Sequence, residues 1–277
     1  MVDSHVHSLH SHDSQQTLEE IYVSARKKGL KGVAITDHVD MWFYDRENSE
    51  QQIRSGIEEL KEANKKYGDS FHFFQGVEMA EYCYDPTNAE RILQLTEYDV
   101  ILGSVHSVFY QDWADSYSRL DFSEDAAPKE KLVGYMQKYF DKVIEMTEKM
   151  DFDVLSHLTC PFRYMNGKYK RGLSVAAFQK QIDVILDLIL QREIALEVNT
   201  SGIGGVYGEW MPEPEILKRY YAMGGRKITL GSDAHVPENI ANGFHKTQKT
   251  LTGIGFRTCC HFEKRKPKED LLMEENI

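Results

Sequence analysis

The chain opens Met1-Val-Asp-Ser-His-Val-His-Ser-Leu-His-Ser-His-Asp13, with four histidines and two aspartates in thirteen residues. In an extended backbone side chains alternate faces, so His5 and His7 share one side of a short strand that Val2 and Val6 begin. Those valines, with Asp3 among them, argue against a disordered His-rich tip. Two imidazoles on one face make half of a metal site, and a metal needs three or more ligands. The fold therefore turns on whether later strands end in the same way.

Working outward, the chain alternates short apolar strands with amphipathic helices. Strands are expected at Gly32–Thr36, Phe71–Val77, Val100–Val105, Phe152–Leu155, Ile194–Val198 and Ile228–Leu230, and Phe256–Phe262 reads as a closing strand or edge. Thr17-Leu-Glu-Glu20, Ser49-Glu-Gln-Gln52 and Thr87-Asn-Ala-Glu90 read as capping boxes, and Pro128 as a helix start. Residues 110–127 are polar and acidic and read as a long loop or lid. Such alternation implies right-handed βαβ units and a parallel sheet. With no second composition regime in 277 residues, the expectation is a single-domain α/β fold, a distorted seven-stranded TIM-like β/α barrel over 1–277. An open doubly wound sheet is the runner-up. No GxGxxG or GxxxxGK[ST] motif supports a nucleotide fold.

The expected strand ends carry the chemistry. They read His5 and His7; Thr36-Asp-His38; Gly76-Val-Glu78; Gly103-Ser-Val-His106; Ser156-His157; Glu197-Val-Asn199; and Gly231-Ser-Asp-Ala-His235. Six of eleven histidines fall there, and in a parallel β/α barrel all those ends meet on one face. A lone His after a strand usually means nothing; the repetition is the signal. His72, His245 and His261 fall outside it, His10 and His12 have no distinct role, and Asp40, Asp45 and Asp112 read as solvated loop carboxylates. Asp3 is a candidate to orient a ligand imidazole. Mixed imidazole and carboxylate ligands suit Zn, Mn or Fe, and so many exceed one ion's capacity, which implies two to three divalent ions. A purely structural cluster would be closed and Cys-rich.

Composition narrows the partners. The net charge of −11 disfavours nucleic acid but allows a small phosphorylated substrate beside bound cations. No long apolar run marks a membrane span, no leader is evident, and Cys83, Cys160, Cys259 and Cys260 show no CxxC spacing, so a cytoplasmic protein with free thiols is expected. Oligomeric state is not legible.

The set His5-Val-His7, Thr-Asp-His38, Gly-Val-Glu78, Gly-Ser-Val-His106, Ser-His157 and Gly-Ser-Asp-Ala-His235 resembles the PHP (polymerase and histidinol phosphatase) superfamily over residues 3 to about 266. Ser11-His-Asp-Ser14, Arg163-Tyr164, Glu197–Gly202 and Phe262–Pro267 are similar to its stand-alone histidinol-phosphatase branch. The resemblance implies a trinuclear centre: His5, His7, Glu78 and Asp233 on a first metal; Glu78, His106 and His157 on a second; Asp13, His38 and His235 on a third. Asp13 stands where other members carry His, and Gly204 where the branch often has a basic residue.

The resemblance also implies a phosphomonoesterase hydrolysing L-histidinol phosphate to L-histidinol and phosphate in histidine biosynthesis, by attack of a metal-bridging hydroxide. Glu78, Asp233, His235 and Arg163 are its catalytic candidates. Arg163, with Lys168, Lys170 or Arg171 as helpers, would hold phosphate, since a guanidinium matches it bidentately; Arg163 reads equally well as a surface charge. The alternatives are action on another small phosphate ester or tyrosine phosphate, an exonuclease or phosphodiesterase, a metal-dependent amidohydrolase, and a non-catalytic metal-binding domain.

Overall fold

The structure is a computed structural model that describes residues 1–272. Seven parallel strands pair in the order β1 (Val2–Val6), β2 (Gly32–Ile35), β4 (His72–Ala80), β5 (Val100–Ser104), β6 (Val154–Leu155), β7 (Ala195–Asn199) and β8 (Ile228–Gly231). A short β3 (His38–Asp40) carries β2 onward past a break at Thr36-Asp37 and pairs with the upper part of β4. The first and last staves meet through a bridge from Val6 to Ala234, where His7 N donates to Ala234 O at 3.0 Å and Asp233 N to His5 O at 2.8 Å. The barrel is therefore nearly closed, as expected, and the open sheet is excluded.

Helices α1 (Leu18–Lys27), α2 (Ser49–Tyr67), α3 (Pro86–Leu93), α4 (Lys129–Lys149), the one-turn α5 (Cys160–Phe162), α6 (Gln179–Gln191), α7 (Pro214–Ala222) and α8 (Phe244–Ile254) pack around the staves. Among the described residues none is long and apolar enough to cross a membrane. Helix α1 starts with the expected capping box of Thr17 and Glu20.

Two caps differ from expectation. Asn48, in the left-handed region (φ 52), precedes α2 without a side-chain cap bond, and Ser49 is already inside the helix. Helix α3 starts earlier than Thr87, because Asp85 accepts from Asn88 N at 3.1 Å and Pro86 presets the first turn.

The stretch expected to close or edge the barrel does neither. Strand β9 (Thr258–Glu263) pairs antiparallel with β10 (Lys266–Leu271) in a separate hairpin. Its Cys260 and Phe262 pack with Val2, Ala34, Phe74, Val100, Leu102, Val154 and Ala195, the N-terminal part of the barrel core. Arg265 ties the hairpin to Asp153 at 3.1 Å, and Lys264 N donates to Asp99 Oδ1 at 2.8 Å. With this mouth filled by apolar side chains, the chemistry is left to the other.

The acidic stretch 110–127 is ordered. Bridges Ser107–Ser116 and Tyr110–Trp113 fold it back on itself, and Trp113, Tyr117, Leu120 and Phe122 are buried. Four apolar anchors hidden among polar residues thus make a wall of what reads as an open loop.

Candidate metal centre

Every stave but β7 leads into a candidate ligand at the C-terminal mouth, and Asp13 joins them from the loop after β1. On β4, Phe74, Gly76 and Glu78 share one face, so the residue two pleats above the apolar plug is a fully buried carboxylate. Around Glu78 Oε2 stand His5 Nε2 at 3.4 Å and His7 Nε2 at 3.6 Å. His7 Nε2 lies 3.2 Å from Asp233 Oδ1 and 3.0 Å from His5 Nε2. Ligand atoms about 2.1 Å from a tetrahedral ion are separated by about 3.4 Å, the spacing seen here.

A second group forms on the other oxygen. Glu78 Oε1 lies 2.6 Å from His157 Nε2 and 3.3 Å from His106 Nε2, and the two imidazole nitrogens are 3.4 Å apart. The third group is nearer solvent: Asp13 Oδ1 stands 3.6 Å from His38 Nε2 and 3.3 Å from His235 Nε2, and those nitrogens are 3.4 Å apart. All nine expected ligands therefore converge in these three groups.

The far sides of the rings explain how they are aimed. His5 Nδ1 is 2.6 Å from Glu197 Oε1, His106 Nδ1 is 2.9 Å from Asp40 Oδ1, and His235 Nδ1 is 2.9 Å from the carbonyl of Asp233. Ser11 Oγ donates to Asp37 Oδ1 at 2.7 Å, so it accepts from His7 Nδ1 at 3.0 Å. Four rings thus carry a proton on Nδ1 and aim Nε2 into the cluster, the orientation metal-bound histidines adopt.

Two backbone positions show the same demand. A Cβ on Gly231 would collide with Glu197 Oε1 and lie 2.6 Å from His5 Cβ, so only glycine lets that carboxylate reach His5. Asp233 sits in the left-handed region (φ 52), a conformation Asp tolerates better than most residues.

The residues fit a set of cations. Glu78 Oε2 and His38 Nδ1 are both buried and 2.9 Å apart, yet neither has a hydrogen-bond partner. Burial raises the Glu78 carboxyl, but His106, His5, His157 and His38 outweigh it and hold it well below the usual range. Asp233 is likewise held down against burial by His5, His7 and His235. Burial lowers His7 strongly, with His38 and His235 adding to it, while His38 is carried against burial to about 9, chiefly by Glu78. Ionised carboxylates among imidazoles that compete for protons form a site that divalent ions would neutralise.

Two sequence expectations are corrected. Asp3 does not orient an imidazole; it accepts from Ser232 N at 2.9 Å and Ala241 N at 2.8 Å, and burial pushes it up to about 6. Glu197 has that role instead, with its second oxygen taking His157 N at 2.6 Å. Asp40 is not solvated but buried behind His106. Glu197 is visible in the sequence as a strand-end carboxylate; Asp40 reads as loop because the β3 extension is three residues long. His10 pairs with Glu59 at 2.8 Å, and His12 with Glu47 at 3.4 Å.

The centre opens into a cleft of about 470 Å³. Arg163 lines it and donates to Ser201 Oγ at 3.1 Å. Lys168, Lys170 and Arg171 do not line it: Lys168 sits over the Tyr169 ring, Lys170 reaches Val206 O at 3.3 Å, and Arg171 is spent on backbone carbonyls. The structure therefore does not bring these three expected phosphate helpers to the cleft beside Arg163. Arg119, which carries no motif in the sequence, does line the cleft, as do Gly204 and Gly205. Burial pushes the cleft's Cys160 thiol up to about 11, so it is no thiolate ligand at neutral pH.

Comparison with known proteins agrees with this geometry. The chain is 28% identical over 256 residues to a probable histidinol-phosphatase of Thermotoga maritima, covering 92% of this chain and 93% of that one. It is 23% identical over 266 residues to a histidinol-phosphatase of Lactococcus lactis, covering 96% and 95%. In fold it is similar to the crystal structure of histidinol phosphate phosphatase from Lactococcus lactis complexed with Zn, L-histidinol and phosphate, with a TM-score of 0.76 at 20% identity over 96% of this chain and 98% of that one. The PHP domain family model matches residues 3–201, well over half the chain, and the protein belongs to the PHP domain family.

Proposed function

We propose that the protein is a metal-dependent phosphomonoesterase of histidine biosynthesis in the cytoplasm, hydrolysing L-histidinol phosphate to L-histidinol and inorganic phosphate. Residues 1–277 act as one PHP-type domain, with 110–127 as a wall of its cleft. Two to three ions of Zn, Mn or Fe are held by His5, His7, Glu78 and Asp233, by Glu78, His106 and His157, and by Asp13, His38 and His235. The observation that carries the reading is that the first two groups share Glu78, the third adjoins them through His38, 2.9 Å from Glu78 Oε2, and the cleft beside them is lined by Arg163. The names of the relatives supply the substrate.

Such ions, when bound, supply Lewis acidity and acidify water. The chain's own residues do the rest. Glu78 spans the first two groups with its two oxygens and fixes their spacing. Asp233 stays ionised at the floor, its other oxygen 3.4 Å from Asn199 Nδ2 and Ser201 Oγ. His235 keeps its Nδ1 on a carbonyl and presents Nε2 to the third group. Arg163 offers planar donors to the phosphoryl oxygens, where charge builds in the transition state. Tyr117, Tyr164 and Phe43 line the cleft and limit water around the ester.

A second reading, action on a different small phosphate ester, draws on Gly204, which leaves the 200–205 loop without a basic side chain at the cleft. One purified sample tests both. Metal is counted per chain, then L-histidinol phosphate, tyrosine phosphate, an aryl phosphate and single-stranded DNA are assayed. A clear preference for histidinol phosphate with two or more metals is expected. Comparable rates on all monoesters would remove the substrate assignment, preference for DNA would favour an exonuclease, and metal without turnover would leave a non-catalytic metal-binding domain.

A further inference from the structure

Segment 163–171 carries Arg163, Lys168, Lys170 and Arg171 and no acid, whereas 110–127 carries Asp112, Asp115, Asp121, Glu124 and Asp125 against Arg119 alone. The two segments meet through the ring pairs Tyr117–Tyr164 and Phe122–Tyr169, and one cation makes most of the hydrogen bonds between them. Arg171 Nη1 donates to the carbonyls of Phe122 at 2.5 Å, Ser123 at 2.9 Å and Ala127 at 2.8 Å. Tyr169 Oη adds a longer bond to Leu120 O at 3.4 Å. Three carbonyl oxygens converging on one nitrogen repel each other unless a cation lies between them.

Arg171 is itself held firmly. Its backbone N–H donates to Met165 O at 3.0 Å, and Asn166 clasps Leu173 through two bonds of 2.8 Å. Lys170 (φ 56) and Gly172 (φ 61) both adopt left-handed backbone around it. On one side of this junction, the π-helical turn Arg163–Lys168 carries the cleft arginine. On the other, the loop carries Tyr117, Ser118 and Arg119, which line the cleft.

We propose that Arg171 is a positioning residue: it clamps the acidic 106–127 loop to the Arg163 turn and so holds the cleft wall formed by Tyr117, Ser118 and Arg119 at its distance from Arg163. Substrate affinity then depends on a residue that never meets substrate.

The test compares Arg171→Met and Arg171→Lys with wild type in metal-loaded, full-length protein. Backbone hydrogen exchange over 106–127 is read without substrate, beside metal count and the kinetics of L-histidinol phosphate. For Arg171→Met, exchange in 106–127 and KM each rise by about ten-fold, the scale of one lost charge-assisted hydrogen bond. Metal content stays the same and kcat changes less than KM. Arg171→Lys keeps the charge without the planar fork and shifts both in the same direction by less. If the Met variant does not fold, the Lys variant decides alone.

Unchanged exchange in 106–127 overturns the clamp. Faster exchange with unchanged KM overturns its role in positioning the wall. The kinetic arm rests on the phosphatase reading, and the exchange arm does not. A wild type inactive on every phosphate ester would therefore defeat that reading while the clamp is still judged by exchange.

Discussion

At one end of the barrel, Glu78 lies within 4 Å of His106 and His157, and Asp233 within 4 Å of His5 and His7. At the other end of the same strands, Ala34, Phe74, Val100, Leu102 and Val154 pack on Cys260 and Phe262. Phe74 and Glu78 lie on one face of one strand, about 13 Å apart. The contrast shows a division of labour along each stave. The lower half excludes water and contributes stability by apolar burial. The upper half buries charges whose desolvation is offset only by partners, cations above all.

The largest effect belongs to the residue the upper half is built around. Glu78→Gln removes the charge shared by two ligand groups, so kcat should fall by roughly three orders of magnitude, with loss of at least one ion per chain and an unchanged circular dichroism spectrum. Activity within about ten-fold of wild type would show that the upper mouth does not depend on that carboxylate.

Phe262→Ala probes the opposite end. A buried Phe truncated to Ala costs about 3–5 kcal/mol, measured as chemical denaturation of the metal-loaded protein, with kcat and metal count unaltered. A parallel loss of kcat would mean that the two mouths are not independent. Glu197→Gln asks how far the upper mouth relies on supports behind the ligands. Outer partners of this kind are worth about 10–100-fold in metal affinity, readable by chelator competition, and an unchanged affinity would make the 2.6 Å contact with His5 incidental.

The smallest effect is in pH. Without metal, His38 is raised to about 9, Glu78 outweighing its burial. A histidine whose folded pKa exceeds its unfolded value adds stability that is complete below about 6.5 and lost as pH rises through about 9. The metal-free protein should therefore melt lower at about pH 9 than at about pH 6.5. Because ions must displace that proton, affinity at the third group should rise with pH over the same window. Affinity flat with pH would show that His38 binds no ion.

The strand ends reveal eight of the nine candidate ligands because each is a local event, a short β run followed by a histidine or carboxylate; Asp13, in a loop, comes from the family resemblance. Asp40 and Glu197 are equally close to a strand end, but their partners, His106 and His5, are 66 and 192 residues away, and no local pattern reveals such a pairing. Strand β9 reads as a closing strand or edge since its alternation is that of any strand; only its contacts with the barrel floor distinguish it.

Arg171 marks the boundary most sharply. By composition it stands with Arg163 in one basic loop facing an expected phosphate. In space, two left-handed residues beside it turn its guanidinium away from the cleft and into three carbonyls of a different segment. What the sequence by itself determined was periodic: a parallel β/α barrel and a mouth of histidines and carboxylates, to which the family resemblance added Asp13 and the division into three groups. Only the tertiary structure decided which carboxylate supports which imidazole, which end of the barrel is plugged, and which cations face the cleft. Strand phase is written every two residues, whereas the aim of a long side chain depends on neighbours brought together from distant parts of the chain.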